Sequence, residues 1–357
     1  MDGVELVGVV DTKPGRADEV AAKCGTRAWR AASDLLGHVD AVSVAVPTVS
    51  HLAVAVPFLE RGIAALVEKP LAPTVADAER LIDTAAGSGA TLAAGHTERF
   101  NPAVVAALPL VADPRFVEVH RLGTFPERSL DIDVIFDLMI HDLDLLLAAV
   151  DSEVVSIEAV GVNVLTPRTD IANARLRFAS GCIANVTASR ISRERVRKVR
   201  FFQHDSYVSI DYAAQEVEVY RLAPRGTVPP IQGGKLDVAN DEPLRRELLD
   251  FVDAVRTKPA PGVTGQGGPV DTLVQVRVER LVLDDAGQVH HVALLLPEPV
   301  DVLVHAALPL LGDGRLRQLE GVGLREHVRV EGAGRHGHVH HARPHRVAHL
   351  EGRHRLG

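Results

Sequence analysis

The residues best suited to move a proton near neutral pH in this sequence are one lysine and one histidine, each in a distinctive setting. Lys69 closes the stretch Ala64-Ala65-Leu66-Val67-Glu68-Lys69-Pro70, an apolar run ended by an acid, a base and a proline. Such a run reads as a buried parallel strand. Proline has no N–H to give the sheet and closes it. Glu68 and Lys69 then stand at the C-terminal end of the strand, where open α/β sheets bind ligands. His141 lies in Asp137-Leu138-Met139-Ile140-His141-Asp142-Leu143-Asp144, part of a helix predicted over residues 133–150. Asp137 and His141 are four apart there and share a face. A histidine with an ordinary pKa of about 6.5 accepts a proton near neutrality. A lysine can stabilise negative charge growing on an oxygen, and a carboxylate can orient or charge-stabilise either. His141 with Asp142 and Asp144 could suggest a metal, but the two acids point to different helix faces and no third ligand has a fixed spacing. No metal is expected.

The elements that must hold these groups alternate. Strands are predicted over residues 4–11, 40–46, 64–67 and 91–94, with helical segments over 17–24, 31–36, 50–61 and 74–86. Ser50 and Thr74 are the expected helix caps, Asp77 the capping-box acid, and Gly62 a helix end. This alternation is the pattern of a doubly wound parallel sheet. Asp11, at the end of the first run, is placed to accept hydrogen bonds from an adenosine ribose. The glycine fingerprint G-x-G-x-x-G that belongs some twenty residues upstream of such an acid is not in the sequence. Either Asp11 is an ordinary turn residue, or a first strand and its glycine turn are missing and Met1 reads as an internal methionine.

After Phe100 the pattern changes. A short helix opens at Asn101-Pro102, a strand covers 115–121, and the helix at 133–150 is followed by strands at 154–162, 171–178, 182–189, 199–204, 207–211 and 217–220. Residues 222–240 read as a loop carrying proline and glycine, and 243–255 as a helix. This half reads as a mostly antiparallel sheet with helices on one face. From about residue 262 the periods fade. No lysine follows Lys258, and eleven of the 17 histidines lie at or beyond His290. The segment from 268 reads as an atypical His/Arg-rich tail rather than a native domain, the product expected of a GC-rich gene read out of frame. A histidine-rich metal-binding tail is the alternative.

Composition narrows the class. With 46 % apolar residues the chain can build a sizeable core, and a formal charge of −8 without an arginine-rich face argues against nucleic acid. Cys24 and Cys182 form neither a disulfide framework nor a metal spacing, so a reducing cytoplasm is the expected compartment. No signal peptide is read at the start. The longest apolar region, 292–311, is interrupted by Pro297, Glu298, Pro299 and Asp301 and is not read as a membrane span.

Glu68-Lys69-Pro70 is joined by Val46-Pro47-Thr48-Val49-Ser50-His51, by Gly95-His96-Thr97-Glu98-Arg99-Phe100-Asn101-Pro102, and by the Asp137 to Asp144 stretch. In this order and spacing, over about residues 4–260, they resemble the Gfo/Idh/MocA family of NAD(P)-dependent sugar and polyol oxidoreductases. The resemblance implies a Rossmann domain, here 1–99 and truncated. It implies a substrate and oligomerisation α/β domain, 100–267, with an open, mostly antiparallel sheet through which a homo-oligomer would form.

It also implies roles. Asp11, Pro47, Thr48, His51, Glu68 and Lys69 would meet the cofactor. That cofactor is NAD by the carboxylate of Asp11, with NADP kept open by Lys13 and Arg16. Without the glycine turn, weak binding is expected. Lys69, Asp137 and His141 would be catalytic, serving a sugar hydroxyl whose proton goes to a base while its hydride goes to the nicotinamide. Whether Lys69 or His141 is that base stays open. The Gly-His-x-Glu-Arg-Phe-Asn-Pro variant looks like the branch acting on nucleotide sugars, the UDP-N-acetylglucosamine 3-dehydrogenases. His96, Arg99 and Asn101 would then lie near the sugar or diphosphate, Arg99 through its planar fork, unless Arg99 merely pairs with an acid at the domain junction. Other readings share the fold: a non-catalytic dinucleotide- or sugar-binding regulator, an inactive truncated fragment of the oxidoreductase, and a glycosidase working through transient oxidation.

Overall fold

The computed structural model describes residues 3–125 and 132–257, and the backbone of 301–304. The rest of the predicted tail lies outside the described residues. The first part alternates β1 (Gly8–Val10), α1 (Arg16–Cys24), β2 (Arg27–Trp29), β3 (Ala41–Val44), α2 (His51–Leu59), β4 (Ala64–Glu68), α3 (Val75–Ser88) and β5 (Leu92–Gly95); β2 is not among the expected strands, and the helix expected over 31–36 is a short 3-10 turn, Ala32–Leu35. All pairings here are parallel, in two pieces, β1–β2 and β3–β4–β5. β4 is central in its piece and its first four residues are buried, which is why its sequence is continuously apolar. β3 is less buried than its apolar run suggests. Only Val44 is fully covered, because β3 pairs with β4 alone among the described strands.

Thr74 caps α3 by accepting the Asp77 N–H at 3.1 Å, and the Asp77 carboxylate accepts the Thr74 hydroxyl at 2.8 Å. Ser50 makes no side-chain cap. A short 3-10 turn, Thr48–Ser50, leads into α2 instead.

The second part follows: α4 (Pro102–Ala107), β6 (Pro114–Leu122), a π-helical turn (Ile135–Met139), α5 (Ile140–Ala149), β7 (Val154–Val162), β8 (Ile171–Phe178), β9 (Ile183–Ser189), β10 (Val196–Gln203), β11 (Ser206–Asp211), β12 (Glu216–Leu222), β13 (Ile231–Lys235), α6 (Pro243–Thr257) and β14 (Asp301–Val304). Its sheet runs β13-β12-β11-β10-β6-β9-β8-β7-β14. Pairing is antiparallel except for β6 with β9 and β7 with β14. β13 falls inside the stretch expected to be loop. Its sequence, Ile-Gln-Gly-Gly-Lys, carries almost no strand signal. It pairs because Gly233 has no side chain, since a Cβ there would overlap the Val219 carbonyl oxygen.

One face of this sheet is dry. Val117 and Val119 of β6, Val199 and Phe201 of β10, Val208 and Ile210 of β11, and Val217 and Val219 of β12 alternate inward against Ala103, Val104, Ile140 and Leu146 of α4 and α5. Burying each such side chain stabilises the fold by about 1.5–3 kcal/mol, less for the alanines. α6 leaves this sheet and returns to the parallel one, where Phe251 packs with Ala64, Leu66 and Ala93. No helix among the described residues is long and apolar enough to cross a membrane.

Candidate functional site

The site gathers where the carboxyl ends of β4 and β5 meet the start of α5. β4 delivers Lys69, the residue before a cis proline. The Lys69 ammonium donates to the Asp137 backbone carbonyl at 2.8 Å and stands 3.7 Å from its carboxylate oxygen Oδ1. Asp137 lies inside the π-helical turn, the kind of local widening that recurs at functional sites. One turn on, α5 presents His141. β5 ends at Gly95 and presents His96, whose ring meets that of His141 edge to face with centroids 6.1 Å apart.

Burial sets the chemistry of these groups. His96 is fully buried, and neither of its ring nitrogens makes a hydrogen bond; Nδ1 of His141 is enclosed and likewise without one. Buried polar atoms are paired in the great majority of cases, so three orphan nitrogens in one place are what a site built for a polar ligand would leave. Burial holds His141 well below the usual histidine range, with the Arg121 guanidinium and the Lys69 ammonium adding to it. Burial also lowers His96, partly offset by Asp144. Lys69 is pushed below its ordinary value by burial, against the opposing pull of Asp137 and Glu68. The imidazoles are therefore neutral, and the lysine is moved toward the working pH.

The other expected residues divide. His51 is buried and supports the backbone. Its Nε2 lies 2.8 Å from the Val46 carbonyl, and its Nδ1 lies 3.1 and 3.2 Å from the carbonyls of Pro70 and Leu71, tying the end of β3 to the segment after β4. Asn101 is buried too. It caps α4 by accepting the Ala103 N–H at 3.0 Å and donates to the Tyr212 carbonyl at 3.0 Å. Arg99 is engaged by a carboxylate, its fork meeting both Asp144 oxygens at 2.6 and 2.7 Å. Pro47 and Thr48 lie at the turn after β3, and Glu68 lies against Gly95, where a Cβ would come within 3.0 Å of Oε2. Asp11 is exposed at the tip of β1, and its Oδ1 accepts the Lys13 N–H at 2.8 Å.

Sequence reasoning missed the polar network beneath the site. Arg121 on β6 is buried. Its Nε and Nη2 meet both oxygens of Asp142 at 2.7 and 2.9 Å, and its Nη1 meets Glu98 at 3.0 Å. Its guanidinium lies 5.1 Å from the Tyr212 ring centre. The signal was present: Val117, Val119 and Arg121 share one face of a strand, so Arg121 had to point into the core. Glu247 of α6, also buried, accepts the Thr97 hydroxyl at 3.0 Å.

For a dinucleotide the fit is partial. Lys69 and Glu68 suit the nicotinamide end, and the exposed Asp11 suits the ribose of the adenosine end. The glycine fingerprint that would cradle the diphosphate is not in the sequence. Nor do three His, Cys, Asp or Glu side chains among the described residues converge as a metal site.

Comparison with known proteins fits this geometry. A sequence profile described as an oxidoreductase family with an NAD-binding Rossmann fold matches residues 1–96, and the GFO/IDH/MocA C-terminal domain matches 113–205. The chain is 41 % identical over 255 residues to the UDP-N-acetylglucosamine 3-dehydrogenase of Acidithiobacillus ferrooxidans, covering 70 % of this chain and 81 % of that one. A solved structure of that enzyme superposes with a TM-score of 0.70 at 38 % identity, over 76 % of this chain and 86 % of the other. An inositol dehydrogenase homologue from Azotobacter vinelandii, solved with NAD+, shares the fold at 18 % identity, with a TM-score of 0.67 over 78 % of this chain and 86 % of its own. With a parallel sheet carrying the Glu-Lys-Pro strand, an open mixed sheet beyond it, and both domain profiles matched in order, the chain belongs to the Gfo/Idh/MocA family of NAD-binding oxidoreductases.

Proposed function

We propose that this chain oxidises a hydroxyl of a nucleotide-activated amino sugar, of the UDP-N-acetylglucosamine type, at Lys69, His96 and His141. The observation that carries the reading is the set of unpaired, buried ring nitrogens of His96 and His141 beside Lys69. A sugar hydroxyl entering there would satisfy groups that otherwise carry a desolvation cost of about 1–3 kcal/mol each. The kinship at 41 % identity supports the substrate class. NAD supplies the hydride acceptor. The residues of the chain handle the proton. Burial moves Lys69 toward the working pH and His141 away from it, so Lys69, as the neutral amine, takes the hydroxyl proton and becomes the ammonium. Neutral His141 holds the oxygen by a hydrogen bond, and Asp137 stabilises the ammonium so formed.

The test follows NADH formation with UDP-N-acetylglucosamine, UDP-glucose and inositol as separate substrates. Activity on inositol alone would reject the substrate class. Lys69→Arg keeps the charge but cannot give up its proton, and its kcat should fall by about 10² or more. His141→Gln keeps a hydrogen-bonding group and should fall less. The opposite order would make His141 the base.

The second part also carries a surface suited to a second copy of the chain. Phe116, Phe202, Tyr207 and Tyr220 stand on the outer face of β6, β10, β11 and β12, ring beside ring at 5.2–6.3 Å. Phe202 and Tyr220 are 37 % and 41 % exposed. Light scattering of the wild type against Phe202→Glu would decide, with a monomer expected only in the variant.

A further inference from the structure

Two segments carry the histidines, and they come from different sheets. His96 sits on the turn after β5, and His141 on α5. That turn holds Glu98 and Arg99 side by side, and α5 holds Asp142 and Asp144 two residues apart. The four are bridged in a crossed arrangement. Arg99 reaches from the turn to Asp144, while Arg121 on β6 takes Glu98 with one nitrogen and Asp142 with two others. The Arg121 side chain is 3 % exposed and that of Asp142 0 %, so water does not compete for these contacts. Asp142 is the neighbour of His141, and Glu98 lies two residues from His96. One guanidinium thus holds the backbone next to both rings, on a strand whose other inward residues, Val117 and Val119, are fixed in the core.

We propose that Arg121 is a positioning residue: it ties the turn that carries His96 to the helix that carries His141, and so sets both rings against Lys69. The proposal rests on the reading of His141 and Lys69 as the proton-handling site, but its test does not pass through activity. The cations around the two rings are Lys69 from β4, Arg99 from the turn, Arg121 from β6 and Arg197 from β10. The anions nearby are Asp137, Asp142, Asp144 and Glu98, and the Tyr212 hydroxyl, raised well above its usual range by burial, stays neutral. Of the cations Arg121 contributes most to holding His141 uncharged, second only to burial itself. Removing its charge leaves Asp142 and Glu98 without their cation. Both effects favour a proton on the ring.

The experiment uses the full chain with histidines labelled at Cε1, observed by NMR from pH 8 down to the lowest pH at which the protein stays folded. Signals are assigned by loss in His96→Gln, His141→Gln, His51→Gln and His38→Gln. In Arg121→Gln the His141 midpoint should rise by about one pH unit or more, the scale of a neighbouring charge. The His96 and His141 signals should move together, while His51 and His38 stay in place. In Arg121→Lys, which keeps the charge and loses the two-nitrogen grip, both ring signals should move with a smaller change of midpoint. Should Arg121→Gln fail to fold, Arg121→Lys decides alone. A folded Arg121→Lys with both rings at their wild-type positions and midpoints would leave Arg121 as mere core packing and overturn the proposal. Full activity of His141→Gln would instead unseat the proton-handling reading, and the NMR result would stand apart from it.

Discussion

Glu247 gives the sharpest pH-dependent prediction. It is 2 % exposed, on the face of α6 that packs against the parallel sheet. One of its oxygens accepts the Thr97 hydroxyl, and Oε1 makes no hydrogen bond. Burial pushes its carboxyl from 4.5 up to about 7, helped by the carboxylates of Glu68, Glu242 and Asp250 and opposed by Thr97. Between those two values the folded state keeps a proton that the unfolded chain releases. The protonated form therefore favours folding fully below about pH 4.5, and that advantage is lost as the pH rises through about 7. At roughly 1.4 kcal/mol per pH unit, the window is worth about 3 kcal/mol as an upper figure. Glu247→Gln is neutral in both states and still accepts from Thr97. Urea unfolding, followed through the single tryptophan, Trp29, should give stabilities within about 1 kcal/mol of each other at pH 5. At pH 8 the variant should be the more stable by up to about 3 kcal/mol. If the two proteins differ by the same amount at both pH values, the carboxyl is not held protonated by its surroundings, and the reasoning fails.

Asp170 should act in the opposite sense. Burial alone would raise its carboxyl, but the Thr166 hydroxyl and the N–H groups of Leu165, Thr166 and Val164 hold it well below the usual range. Its Oδ1 also takes Arg190 at 2.8 Å. Its contribution is complete above about pH 4, near its ordinary value, and is lost as the pH falls below that. Asp170→Asn should cost about 3–5 kcal/mol at pH 7, the scale of a broken buried pair, and flatten the acid side of a thermal-melting profile; a loss below 1 kcal/mol would refute it. For the cofactor, Asp11→Ser should shift the ratio of kcat/KM for NAD over NADP by about tenfold toward NADP, since a carboxylate at the ribose repels a 2′-phosphate. An unchanged ratio would place the adenosine ribose elsewhere.

What the sequence made legible was whatever depends on a local period. The continuous apolar run before Glu68 located a strand covered on both faces, and its abrupt end located Lys69. The spacing of Asp137 and His141 placed both at the head of one helical region, although the widening to a π turn at Ile135–Met139 has no composition that announces it. β13 was hidden for the opposite reason, because its pairing depends on the absence of side chains at Gly233. Partner identity was out of reach, since it is decided by residues far apart in the chain. Arg121 could be seen to point inward, but not that Glu98 and Asp142 would meet it.

Arg99 shows how far residue type alone can carry an argument. A planar fork suits a phosphate, and it suits a carboxylate equally well. In the fold the fork is filled by Asp144, whose own side chain is 1 % exposed. Drawing Arg99 away to a diphosphate would leave that carboxylate buried without its cation, a loss of about 3–5 kcal/mol. Arg99 meets Asp144 in the fold, while His96, three residues earlier on that turn, is buried with neither ring nitrogen in a hydrogen bond, its Nδ1 3.8 Å from the same carboxylate. Under the proposed reading, a diphosphate would be met by donors other than Arg99, and the sugar would meet the buried ring nitrogens of His96 and His141 that make no hydrogen bond.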